Sequence, residues 1–119
     1  MSERGGIEIL RDIIESCDRI LLFCDGLDYE GFIYDIKTQD AVLRNFEIIG
    51  EAVKSISETL KMKYPSIKWK QIAGMRDILI HHYFGVNWDM IWEIIHEDIP
   101  DLKEQINGII SDEYPAQDS

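Results

Sequence analysis

Cysteine is nearly missing from this chain: Cys17 and Cys24 are its only two among 119 residues. Seven positions apart on a straight helix, they stand about 10 Å apart along the axis, too far for a mutual disulfide. Two buried thiols facing a core are expected instead. Two cysteines and three histidines at these spacings do not supply a zinc site, so no metal is expected. No run approaches the ~18 apolar residues of a membrane-spanning helix. The opening Met1-Ser2-Glu3-Arg4-Gly5-Gly6 lacks the basic-then-apolar layout of a secretory leader, and a cytoplasmic location is expected. Positive charge is also short: 12 Lys and Arg face 23 Asp and Glu, a net charge of −11. Such a balance opposes polyanion binding over most of the surface. No alternation of apolar and polar residues marks a strand, and neither a repeat nor a linker divides the chain.

What is present reads as one domain over residues 1–119, with residues 1–6 and 111–119 expected to fray. At 45% hydrophobic and 29% charged, the composition is ordinary for a globular protein. The spacing of Leu10, Ile13, Ile14, Cys17, Ile20, Leu21 and Cys24 predicts a first helix over Ile7–Cys24. Asp25-Gly26-Leu27-Asp28 breaks it, and Asp28 is placed to cap a short turn through Tyr29–Tyr34. A long second helix is predicted from Ile36 to Lys63, its stripe formed by Ile36, Val42, Leu43, Phe46, Ile49, Val53, Ile56 and Leu60. Tyr64-Pro65 ends it. A third runs from Lys68 to Phe84 with Gly85 as its stop. Asn87 caps a fourth through Trp88, Ile91, Trp92, Ile94 and Ile95 to about Glu97. Pro100 suits the first turn of a fifth, built on Leu102, Ile106, Ile109 and Ile110. The expected fold is all-α, a single up-and-down bundle of about five helices. Gly50 and Gly74 each cost their helix ~1 kcal/mol, and a close crossing of the second and third helices there would offset it.

Chemistry concentrates in Gly74-Met75-Arg76-Asp77-Ile78-Leu79-Ile80-His81-His82-Tyr83. Arginine offers a planar fork of donors to a phosphate, and histidine moves protons near neutral pH. Arg76 and His81 together can cut a phosphodiester without a metal. Asp77 lies four residues before His81 and can orient its imidazole. Arg76 also falls on the apolar line Trp69, Ile72, Ala73, Leu79, Ile80, Tyr83, where an unpaired charge is costly to bury. It must pair with a carboxylate or face a cleft that phosphate can enter. At 100° per residue Arg76 and His81 do not share one stripe, so they flank a groove, rely on long side chains or a local distortion, or meet a second chain's copy. His82 points elsewhere and reads as a surface or helix-end residue. No acidic residue falls between Thr59 and Arg76, whereas Lys61, Lys63, Lys68, Lys70 and Arg76 do, making a local basic patch. Each lysine can equally be an ordinary solvated one. Arg44 and Asn45 are weaker candidates to support the site.

The R-x-x-x-x-H-x-Y set Arg76, His81 and Tyr83 resembles the HEPN superfamily, specifically the HepT-like toxins of MNT–HEPN toxin–antitoxin pairs. Ala41–Ala52, Pro65-Ser66-Ile67-Lys68-Trp69 and Gly74-Met75-Arg76 carry the likeness, which runs from about Ile9 to Gln105. The resemblance implies a HEPN-like homodimer that brings two motifs into one cleft. It implies a metal-independent endoribonuclease toxin acting on tRNA or mRNA, with Arg76, His81 and Asp77 in the reaction, no cofactor and no role for DNA. It also implies a cognate MNT nucleotidyltransferase antitoxin as partner. Tyr83 is either a hydrogen-bonding group at the site or the acceptor of AMP transferred by that partner. A different reading makes the chain a non-catalytic helical subunit that binds substrate or nucleotide for a nucleotidyltransferase, which suits −11 better. A plain acidic helical adaptor is the third.

Overall fold

The structure is a computed structural model and describes residues 5–77 and 87–115. Seven α-helices, one π-helical turn and the helical residues 75–77 make up the helical structure among these residues, with no strand among them, so the chain is all-α as expected. Helix α1 (Gly6–Cys24) starts where Glu8 reaches back to the Gly5 amide at 3.1 Å. Its spacing carries into packing: Leu10, Ile13, Cys17 and Ile20 are fully buried, along with Ile9 and Cys24. Cys17 and Cys24 are free, buried thiols. Burial pushes the Cys17 thiol up to about 12 and Cys24 up to about 11, the carboxylates of Asp18 and Asp35 adding to each in turn. Gly26, at φ 82°, makes the turn that only a residue without Cβ enters freely.

Helix α2 (Tyr29–Ile33) is capped by Asp28, whose Oδ1 accepts from the Gly31 amide at 2.8 Å. Helix α3 (Ile36–Lys54) is capped by Asp35, which accepts from Thr38 N at 3.0 Å. That bond, and a second from Thr38 Oγ1 to Asp35 Oδ2 at 2.8 Å, hold the Asp35 carboxyl below its ordinary range. Gln39 ties α2 to α3, its amide donating to the carbonyls of Phe32 and Ile33 at 2.9 and 2.7 Å. Val42, Leu43, Phe46, Ile49 and Val53 face the core, and α3 packs along α1. Ile36 departs from the predicted stripe. It is the first residue of α3 and stands 70% exposed.

The predicted second helix is two helices. At Ser55 the backbone turns, its amide bonding to Ala52 O at 3.0 Å, and Ser57 caps helix α4 (Glu58–Lys63) by accepting from Leu60 N at 3.1 Å. A capping serine competes with helix continuation, and the run Ser55-Ile56-Ser57 uses that to bend the chain while Ile56 stays buried. Trp69 then closes the next turn, its Nε1 donating to Tyr64 O at 3.1 Å and Lys61 O at 3.2 Å. It opens the short helix α5 (Trp69–Ala73), which ends at Gly74 rather than running on. Residues 75–77 are helical again, and the predicted remainder to Phe84, with Gly85, lies outside the described residues.

The predicted fourth and fifth helices are continuous. Asn87 caps helix α6 (Trp88–Glu93) through Met90 N at 3.1 Å. A π-helical turn over Ile94–Asp98 leads without a break into helix α7 (Ile99–Glu113). Proline lacks the amide an α-helix interior requires, and its ring crowds the preceding turn. The wider turn, where Ile99 N bonds back to Ile94 O, absorbs Pro100 in place of a chain break. Ile91, Ile95, Ile99, Leu102, Ile106 and Ile109 are buried, and α7 packs on α1. Ser111–Glu113 are helical rather than frayed. Tyr64 Oη donates to Glu113 at 2.8 Å and Lys63 pairs with it at 3.2 Å. Burial, then the Glu113 bond, pushes the Tyr64 hydroxyl up to about 12. The same bond, with Lys63, holds Glu113 below the usual carboxylate range.

Candidate functional site

The site is built where the residues just after α5 are laid across α3. Gly50 faces them from within α3. A Cβ placed on it would meet the Ala73 carbonyl oxygen, the Arg76 amide nitrogen and the Arg76 Cβ, each at 2.9 Å. Only a residue without a side chain lets the two backbones come so near, which is the crossing expected from Gly50. Gly74 supplies the turn that sets it up, its amide bonding to Lys70 O and Gln71 O at 3.1 Å. The Asp77 amide then bonds to Gly74 O at 2.9 Å and starts the next helical turn.

The crossing brings Arg76 to the residue that follows Gly50. Arg76 Nε and Glu51 Oε2 form an ion pair, with the two side chains 34% and 52% exposed. Of the two options for Arg76, the structure shows the carboxylate partner. A third of its side chain still reaches solvent. Nε itself is buried and makes no hydrogen bond among the described residues. The Arg76 Cβ is pressed on Gly50. Glu51 was not a candidate from the sequence. Its only signal there is its place next to a helix glycine that needs a packing reason.

Asp77 is exposed. His81, its expected contact, lies outside the described residues, as do His82 and Tyr83. Of the expected set Arg76, Asp77, His81 and Tyr83, the structure thus places the first two side by side on one helical turn. Of the weaker candidates, Arg44 is exposed and paired with Glu47 at 3.0 Å, away from the core face. Asn45 is buried at 4% exposure; its Nδ2 donates to Ala41 O at 2.8 Å. Its Oδ1 has no hydrogen-bond partner among the described residues.

The basic patch is smaller than its sequence count. Lys61 sits 3.6 Å from Glu58, Lys63 is paired with Glu113, and Arg76 with Glu51. Lys68 and Lys70 are exposed and have no ion pair among the described residues. Lys68 borders a cleft of about 440 Å³ with Gln71, Gly74 and Met75 on one side and Asp98 and Asp101 on the other. Among the described residues, no three His, Cys, Asp or Glu side chains gather as a metal-ligating group. No helix among them is long and apolar enough to cross a membrane.

The family model described as "Ribonuclease HepT-like" matches residues 13–109. A Methanocaldococcus jannaschii protein named "Putative RNase" is 45% identical to this chain, over 87% of it and 85% of the relative. A Caldanaerobacter subterraneus subsp. tengcongensis protein of the same description is 42% identical over 87% of this chain and 93% of its own. A Thermococcus cleftensis protein named "Probable ribonuclease HepT" is 46% identical, over 85% of this chain and 92% of its own. No solved structure matches the chain.

Proposed function

The chain belongs to the ribonuclease HepT-like family of the HEPN superfamily, and from that premise we propose that it is a metal-independent endoribonuclease and the toxin of a toxin–antitoxin pair. The observation that carries this is Arg76, a guanidinium set on an otherwise apolar line, paired with Glu51 and with a third of its side chain exposed. A charge placed there for packing alone would be an expensive choice. Placed for phosphate, it is a planar fork of donors that still reaches solvent.

In this reading the 2′-hydroxyl of an RNA attacks the adjacent phosphate and expels the 5′-oxygen, leaving a cyclic phosphate and a 5′-hydroxyl end. The Arg76 fork holds the phosphate and stabilises charge growing on its oxygens. His81 takes the proton from the attacking hydroxyl or gives one to the leaving oxygen, a role typically contributing about 10²–10⁴-fold. Asp77, one residue after Arg76, orients the imidazole. Lys68 and Lys70 draw the strand in against the overall negative charge. Two copies of the chain pair their motifs in one cleft, with tRNA or mRNA as substrate in the cytoplasm. DNA, lacking the nucleophile, is not cut. An MNT nucleotidyltransferase neutralises the toxin by transferring AMP from ATP to the Tyr83 hydroxyl, with release of pyrophosphate and the hydroxyl proton. The added group brings negative charge and bulk against the incoming RNA.

The test is purified protein with total RNA in EDTA. Cleavage is expected, and is expected to vanish in Arg76→Ala and His81→Ala while both variants stay folded. Equal cleavage by those variants would refute the assignment. Co-expression with the partner nucleotidyltransferase should add the mass of one or more AMP units at Tyr83. Full neutralisation with Tyr83 unmodified would remove that route.

A second reading keeps the same fold without the reaction: a helical subunit that binds substrate for a nucleotidyltransferase. The Glu51–Arg76 pair and the net charge of −11 favour it. A wild type that binds RNA in EDTA and never cuts it would decide for this reading.

A further inference from the structure

We propose that Glu51 is a positioning residue: its carboxylate fixes the plane of the Arg76 guanidinium so that the Nη end meets the scissile phosphate. The inference rests on the ribonuclease reading for the identity of that phosphate, and on the structure alone for the contact. Glu51 follows Gly50, where the two backbones touch, so the separation between the α3 backbone and that of Arg76 is set by contact rather than by flexible side chains. On that platform Glu51 Oε2 lies against Arg76 Nε as an ion pair, at the guanidinium atom nearest the aliphatic stem. The two Nη groups carry the rest of the fork's donors, and in this proposal they meet the ligand.

Stability does not account for the pair. With both side chains substantially in water, an ion pair of this kind contributes little to folding. Orientation does account for it. A guanidinium is planar, so fixing Nε sets the direction of both Nη groups, and a bidentate phosphate contact depends on that direction. The Glu51 charge also opposes phosphate binding in the ground state. Its benefit therefore belongs in the turnover step and not in affinity.

The experiment compares wild type, Glu51→Ala and Glu51→Gln on an RNA oligonucleotide in EDTA, with Arg76→Lys used to assign the Arg76 Nε–Hε signal by NMR. Glutamine keeps an oxygen acceptor for Nε and drops the charge. Glu51→Ala should lower kcat about tenfold or more, in line with the cost of misplacing a reacting group, with KM within about threefold of wild type. Glu51→Gln should recover most of that loss. The Nε–Hε signal should be slow to exchange in wild type and in Glu51→Gln, and fast in Glu51→Ala. Cleavage by Glu51→Ala at or above the wild-type rate would overturn the proposal and mark the carboxylate as a competitor of phosphate. A Glu51→Gln variant as slow as Glu51→Ala, or an Nε–Hε signal indifferent to Glu51, would overturn it as well. A wild type that cuts no RNA removes the ribonuclease reading instead, and the Nε–Hε signal then decides by itself whether Glu51 orients Arg76.

Discussion

Gly50→Ala is the substitution whose outcome the crossing predicts most sharply. Elsewhere in a helix, alanine for glycine is favourable by ~1 kcal/mol. Gly108 is such a position, in α7 with nothing within 4 Å of an added Cβ. At Gly50 the new methyl lies 2.9 Å from three atoms, about 0.5 Å inside the 3.4 Å at which ordinary contact begins. None of the three is the end of a flexible side chain: two are backbone atoms and the third is the Arg76 Cβ. The segment 73–76 must therefore lift from α3. Overpacking of this kind costs about 1–3 kcal/mol, which set against the helix-propensity gain leaves a net loss of roughly 0–2 kcal/mol. Function should suffer more than stability. The lift carries Arg76 away from Glu51 by a sizeable fraction of an ångström, and such displacements cost about tenfold to a hundredfold in rate. Urea unfolding and RNA cleavage, measured on Gly50→Ala and Gly108→Ala together, separate the two effects. Gly108→Ala should be more stable than wild type and fully active; Gly50→Ala should be no more stable and at least tenfold slower. Equal stabilisation of both variants with full activity would refute the close crossing and the account of Arg76 built on it.

Other expectations concern the frame. Neither Cys17 nor Cys24 should react with iodoacetamide in the native protein, and both should react in urea, because burial raises both thiols well above neutral pH. Mass spectrometry before and after unfolding checks this. Tyr64→Phe should cost about 1 kcal/mol, the scale of a hydrogen bond to a partly exposed carboxylate. That difference should depend on pH in a set direction. Glu113, lowered in the fold, contributes above its ordinary value of 4.5 and loses that contribution as pH falls through its lowered value. Tyr64, raised from 10.0 to about 12, contributes below 10 and loses its contribution between those values. Urea midpoints of wild type and Tyr64→Phe should therefore be farthest apart between about pH 5 and 10 and converge on either side. A constant gap from pH 3 to 11 would contradict the Tyr64–Glu113 link.

Local signals in the sequence are legible where the physics is local. The apolar spacing of α1 named its buried residues, and Asp28 and Asn87 cap the turns expected of them. Gly50 announced a crossing because a mid-helix glycine needs a reason. Other features depend on competition between neighbours. The stripe through Ile56 and Leu60 argued for one helix, and the capping preference of Ser57 prevailed over it. Pro100 argued for a new helix, and a π turn absorbed it instead. Glu51 could not be assigned from spacing, since its partner is 25 positions away and only the α3–α5 packing brings them together. The basic patch was overcounted for the same reason: Glu113 reaches Lys63 from 50 residues away.

The most direct measurement uses an RNA oligonucleotide cut at a mapped bond, alongside its counterpart carrying a 2′-deoxy sugar at that bond, both in EDTA. The account predicts that wild type cuts the first only, leaving a 2′,3′-cyclic phosphate and a 5′-hydroxyl, and that folded Arg76→Ala cuts neither. Cleavage of the deoxy strand, 5′-phosphate ends, or an undiminished rate in Arg76→Ala would contradict it.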